Sequence, residues 1–138
     1  MAAGNNPIFV ATPAVDWYAG ACLTANTAKD CATGTVYTVF TAGSNGSYLT
    51  KLVARAAGTN IATVMRVFIN NGSTSTTAAN NILFAELALP ATTLTETAAQ
   101  PTYELPLGIA LPAGYKIIIT IATGVAAGYY VSVVGGDY

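Results

Sequence analysis

Apolar and polar positions along the chain alternate with a period of two far more often than 3.6, which predicts strands rather than helices. Residues 82–89 carry the cleanest alternation. Leu83, Ala85, Leu87 and Leu89 form one row, and Ile82, Phe84, Glu86 and Ala88 the other. Successive side chains of a strand point to opposite faces, so the Leu-rich row is expected inside. Pro90 ends that strand because it has no N–H for the ladder. Residues 64–69 set Met65, Val67 and Ile69 inward, with Val64, Arg66 and Phe68 opposite. Asn70-Asn71-Gly72 then reads as a turn, and the Ser/Thr/Asn-rich residues 72–81 as an exposed loop. Residues 102–107 place Tyr103, Leu105 and Leu107 on one face. Residues 115–122 direct Tyr115, Ile117, Ile119 and Ile121 inward, with Lys116, Ile118 and Thr120 opposite. Residues 128–134 alternate Tyr129, Val131 and Val133 against Tyr130, Ser132 and Val134.

The first half is less regular. Residues 35–40 and 48–56 read as strands joined by the turn Gly43-Ser44-Asn45-Gly46. Residues 7–11 fit an edge strand or an arm. Residues 25–32 could make one turn of helix, although their Thr and Asn content opposes more, and the stretch around Trp17 and Tyr18 is ambiguous. The total is about eight short strands with no internal repeat and no linker. The expected fold is all-β: an antiparallel two-sheet β-sandwich of jelly-roll type. Its inner faces would fill a core about 10 Å thick. A closed barrel around a ligand cavity is the alternative. Residues 1–13 are set apart as an extended arm or edge strand, and residues 14–138 as one β-sandwich domain.

Composition narrows the function. The 138 residues suit one domain, and only 8% are charged, with a net charge of −1 and no histidine. Five Lys/Arg cannot build a nucleic-acid-binding surface, which needs a basic cluster to neutralise phosphates. Twenty Thr and nine Asn must do much of the wetting. Low net charge gives little repulsion between copies, so a partner is expected to cover part of the surface. Mean hydropathy is +0.51. The most apolar stretch, residues 117–127, is broken by Thr120, Thr123 and Gly124 and is about half a membrane span, so no membrane association is expected. The first residues lack a basic region followed by a long apolar run, which points to synthesis in a cytoplasm without export by the general secretory route.

The search for chemistry yields little. Four of the five serines, Ser44, Ser47, Ser73 and Ser75, fall in predicted turns or loops; none, Ser132 included, has a nucleophile-elbow context, and no histidine stands ready as a base. The six acids (Asp16, Asp30, Glu86, Glu96, Glu104 and Asp137) show no spacing that forces a pair or a calcium loop. No enzyme activity, cofactor or metal is expected. Cys22 and Cys31, nine apart, either close a short disulfide loop or act as buried thiols, and a protein made in a reducing compartment favours the thiols. Arg66, Glu86, Glu104 and Lys116 lie on outward faces, as cross-strand ion pairs or as contacts that set register between subunits. Eight Tyr and one Trp could stack on sugars, although Tyr103, Tyr115 and Tyr129 fit a core with hydroxyls at its rim.

A resemblance adds to this reading. Arg55-Ala56-Ala57-Gly58-Thr59-Asn60, Arg66-Val67-Phe68-Ile69-Asn70-Asn71-Gly72, residues 105–115 and the closing Val134-Gly135-Gly136-Asp137-Tyr138 resemble small tailed-phage virion proteins. The resemblance covers roughly residues 48–138 and implies a capsid decoration (cement) protein. Such a protein is a jelly-roll homotrimer bound to the major capsid protein at local threefold positions on the outside of the phage head, after synthesis in the bacterial cytoplasm. Contacts with the shell or with sister subunits would then fall on Ile8, Phe9 and Val10 of the arm, and on Trp17, Tyr18, Arg66 and Glu86. The alternatives are a head-fibre or tail-tip module that recognises host surface glycans, and a tail-tube or stopper component that forms rings.

Overall fold

The computed structural model describes residues 10–138. Its strands are β1 (Thr12–Trp17), β2 (Tyr37–Thr41), β3 (Ser47–Ala56), β4 (Thr63–Asn70), β5 (Asn81–Leu89), β6 (Thr102–Leu111), β7 (Lys116–Ile121) and β8 (Tyr129–Asp137). One 3₁₀ turn, Ala78–Asn80, is the sole helical element among the described residues. The strands form two four-stranded sheets, ordered β1-β8-β3-β6 and β2-β7-β4-β5. Every pairing is antiparallel. Only β4 and β5 follow one another within a sheet; every other connection crosses to the opposite layer. That is the jelly-roll order, as the alternation predicts.

The core lies between the layers. Leu49, Leu52, Ala54, Val131 and Val133 from one sheet meet Met65, Val67, Ile117, Ile119 and Ile121 from the other, all buried. Each large aliphatic side chain removed from water stabilises the fold by about 1.5–3 kcal/mol. Two features let β8 run between β1 and β3. A Cβ at Gly135 would lie 2.2 Å from the Tyr48 carbonyl oxygen, and one at Gly136 would lie 2.4 Å from the Thr12 carbonyl oxygen. Only glycine permits backbones to approach that closely. At one end of the sandwich Asn60 closes the loops. Its side-chain nitrogen donates to the Gly128 carbonyl at 2.9 Å, and its oxygen accepts from the Ala127 and Gly128 N–H groups at 2.9 and 2.8 Å.

Three sequence expectations are corrected and one boundary moves. First, the boundary: β1 begins at Thr12, inside the segment set apart as an arm or edge strand, and Ala11 already donates its N–H to the Asp137 carbonyl at 2.8 Å. β1 is an edge strand of its sheet, running to Trp17. Second, residues 25–32 form no helical turn. Ala25 bridges Ile121, and Asn26 ties the loop by donating to the Thr33 and Thr35 carbonyls at 2.7 and 2.9 Å. Third, that loop covers the outer face of the β2-β7-β4-β5 sheet. Phe68 and Ile118, expected to point outward, are buried beneath it with Cys31, and Val36 packs alongside.

Fourth, the Leu-rich row of β5 is not uniformly inside. Pairing with β4 shifts between Val67 and Phe68: Val67 faces Ala85, but Phe68 faces Leu83, leaving Phe84 as the extra residue. A one-residue bulge moves the following side chains to the opposite face. Leu89 is buried and Ala85 and Leu87 are half-buried, whereas Leu83 joins Ile82 and Phe84 among the exposed residues.

Candidate binding surface

The outer face of the β1-β8-β3-β6 sheet has no cover from the described residues. Register places Val134 between Val15 and Lys51, Ser132 between Trp17 and Val53, and Tyr130 beside Arg55. Their neighbours along the strands, Leu52, Ala54, Val131 and Val133, are the buried ones, so this row points away from the core. Exposure is high for large apolar groups: 59% for Val15, 64% for Trp17 and 56% for Tyr130.

A groove of about 450 Å³ opens on this face, lined by residues that include Trp17 and Tyr18 of the β1 end, Val53 and Arg55 of β3, and Tyr130 and Ser132 of β8. Its size falls within the roughly 300–1,000 Å³ typical of small-ligand sites. The wall is anchored from behind. Tyr18 meets Tyr37 edge-on with ring centroids 4.8 Å apart, and the Tyr37 hydroxyl accepts the N–H groups of Leu23 and Thr24 at 3.1 and 2.9 Å. Cys22 and Tyr129 exchange backbone hydrogen bonds of 2.9 and 3.1 Å, fixing the loop beside Tyr130. Trp17 and Tyr18 therefore diverge: adjacent in sequence, one offers its ring to solvent and the other steadies the rim.

Charge is distributed unevenly around this groove. Two ion pairs form among the described residues, Lys51–Glu104 at 2.8 Å and Arg66–Glu86 at 3.0 Å. Both are cross-strand pairs within the protomer, so Arg66 and Glu86 are already partnered; Arg66 also donates to the Asn26 carbonyl at 3.3 Å. Arg55 makes no ion pair among the described residues and reaches the groove with no carboxylate in salt-bridge range.

A second apolar surface lies on β5, which is the edge of its sheet. Ile82, Leu83 and Phe84 are exposed there, Ile82 by 64%. An edge strand presents unpaired N–H and C=O groups, and this one carries no Lys or Pro to discourage pairing.

Cys22 and Cys31 are free thiols in separate packing clusters. Burial pushes the Cys22 thiol up to about 12. Burial, with the Asp30 charge beside it, pushes Cys31 up to about 11. Both are therefore protonated, inert hydrophobes at neutral pH. Tyr129 is fully buried, while Tyr103 and Tyr115 pack half-buried against the core. Of the residues predicted for contacts, Ile8 and Phe9 lie outside the described residues. Val10 is half-buried, with its side chain over Gly136. The sequence singled out Trp17 and Tyr18 but missed Tyr130, Arg55 and Val53, whose alternation with buried neighbours was the signal that could have found them. No group of three or more His, Cys, Asp or Glu that could hold a metal ion occurs among the described residues. No helix among them is long and apolar enough to cross a membrane.

No protein-family model matches the sequence, and no curated protein matches it. Among solved structures, a chain in the structure of infectious bursal disease virus Gx strain is similar, with 16% identity and a TM-score of 0.33. The match spans 98% of this chain and 35% of that chain, so this protein corresponds to about a third of its neighbour's length.

Proposed function

We propose that this chain is a structural virion protein, a capsid decoration (cement) protein of a tailed phage that works by shape and adhesive area. In this reading it assembles as a homotrimer on the outside of the head at local threefold positions and braces adjoining capsomers of the major capsid protein. The observation that carries the proposal is the apolar surface left outside a well-packed jelly roll: Ile82, Leu83 and Phe84 along a free β5 edge, and Val15, Trp17 and Tyr130 on one sheet face. Large exposed apolar patches mark interaction surfaces. The resemblance of residues 48–138 to small phage virion proteins supports the same reading. Many equivalent capsid sites make modest affinity per contact sufficient, since neighbouring contacts add avidity.

The test is native mass measurement of the purified protein, followed by binding to expanded phage heads. Trimers that saturate the heads are expected, with Phe84→Lys reducing occupancy. Rings, or labelled protein found only on the tail, would refute the cement assignment.

A second reading is favoured by one observation: the aromatic groove with an arginine that makes no ion pair among the described residues. It is a glycan-recognising module of the virion, and it is compatible with a decoration role, because the groove and the β5 edge lie on different sheets.

A further inference from the structure

We propose that the Trp17–Tyr130 groove binds a carboxylate-bearing saccharide, with Arg55 as the group that reads the carboxylate; this rests on the glycan-binding reading above. Three observations converge. The indole of Trp17 and the phenol ring of Tyr130 are exposed beside one concave site, on neighbouring strands. Flat aromatic rings suit the C–H faces of a pyranose, which are apolar while its hydroxyls remain free to reach water or polar lining groups. Ser132, directly across from Trp17 and two residues beyond Tyr130 on β8, supplies a hydroxyl.

The guanidinium decides the ligand's charge. The chain has only five Lys/Arg. Lys51 and Arg66 are committed to Glu104 and Glu86. Arg55 instead sits directly across from Tyr130 on β8 and Thr102 on β6, neither of which can neutralise it. Glu104, also outward on β6, is occupied by Lys51. Asp16, next to Trp17 in sequence, pairs in register with the buried Val133 and so belongs to the opposite face of β1. A planar five-donor cation beside two aromatic rings is matched by a carboxylate, which accepts two parallel hydrogen bonds from it. A neutral sugar would leave the exposed guanidinium with water as its partner and gain nothing from the charge.

Preorganisation supports a binding role over incidental roughness. The loop behind the groove is held by the Tyr18–Tyr37 contact and by both Tyr37 hydroxyl hydrogen bonds. Neither ring has to be recruited from a mobile segment, so less ordering entropy opposes binding.

The experiment uses the full chain on an array of defined glycans, each acidic member accompanied by its methyl ester, together with neutral hexose oligomers. The best acidic member is then titrated against the protein while fluorescence of Trp17, the single tryptophan, is followed. The acid is expected to bind roughly 10-fold or more tightly than its ester, as a hydrogen-bonded charge pair implies. Arg55→Gln should bring acid and ester to parity, Tyr130→Ala should weaken both, and Lys51→Gln should change neither. Equal binding of acid and ester to the unaltered protein overturns the carboxylate inference while leaving the glycan reading intact. No binding to any array member overturns both, and self-association that buries Trp17 would then identify a second copy as the occupant. Binding that survives both Arg55→Gln and Tyr130→Ala locates the ligand elsewhere and also overturns the proposal. Circular dichroism of each variant separates loss of the site from loss of the fold.

Discussion

The two sheets of this sandwich have outer faces of similar apolarity and opposite fates. On the β2-β7-β4-β5 sheet, Phe68 and Ile118 are sealed under the segment that carries Asn26, Cys31 and Val36. On the β1-β8-β3-β6 sheet, Val15, Trp17 and Tyr130 stay open. The difference is made by a loop, not by the strands. One face is completed by its own chain and becomes a second small core, while the other is left open to solvent. Outward apolar residues thus have two meanings, and only the path of a connecting segment tells them apart.

The sharpest way to break the comparison is to truncate one aromatic on each face. Phe68→Ala is expected to lower stability by about 3–5 kcal/mol, the usual cost of emptying a buried aromatic site. Trp17→Ala should stay within about 0.5 kcal/mol, as an exposed substitution. Denaturant melts of the two variants measure this directly, and similar losses would mean that the exposed face is covered by association. Removing the tether of the cover comes next. Asn26→Ala deletes three loop hydrogen bonds, those to Thr33, Thr35 and Ala28. About 1–3 kcal/mol should be lost through the buried groups left unsatisfied. Cys31 should then react with a thiol reagent far faster than Cys22, as peptide mass mapping after pulse alkylation would reveal.

Alkali probes both cores more gently. The folded thiols sit at about 12 for Cys22 and about 11 for Cys31, above their ordinary 9.0, so the folded state favours the protonated form. Their contribution is complete below about 9 and is lost as pH climbs toward 11–12. Tyr129, raised chiefly by burial, acts in the same direction. Thermal melts should therefore show a midpoint falling with pH above about 9, and Cys22→Ala should blunt that fall. The smallest effect belongs to Lys51→Ala, which breaks an exposed pair and should cost no more than about 1 kcal/mol by denaturant titration, less at high salt.

Much of the fold was legible because burial on one face enforces a period of two. The rows Ile117, Ile119, Ile121 and Tyr129, Val131, Val133 lie inside as their alternation implies. The β5 row was misread because a bulge is a pairing event between strands, and nothing in a single strand's alternation records where its partner slips. Phe68 and Ile118 were misread for a related reason: their cover comes from Cys31 and Val36, roughly thirty to ninety positions earlier, a distance over which periodicity says nothing. The candidate groove was half legible. Trp17 and Tyr18 stood out by type, but Tyr130 and Arg55 become neighbours only through β3–β8 pairing. The lone state of Arg55 depends on where every other charge goes, which no local pattern encodes.

The placement of β8 between β1 and β3 has a consequence for assembly in the cell. The last of the eight described strands to leave the ribosome is an interior member of its sheet, so β1 has no strand partner until it arrives, although β3 already has β6 beside it. A nascent chain lacking Tyr129–Asp137 would leave β1 unpaired and β3 open on the side away from β6. Completion of the β1-β8-β3-β6 sheet must wait for translation to pass this point, and products cut short before it should be handed to proteases.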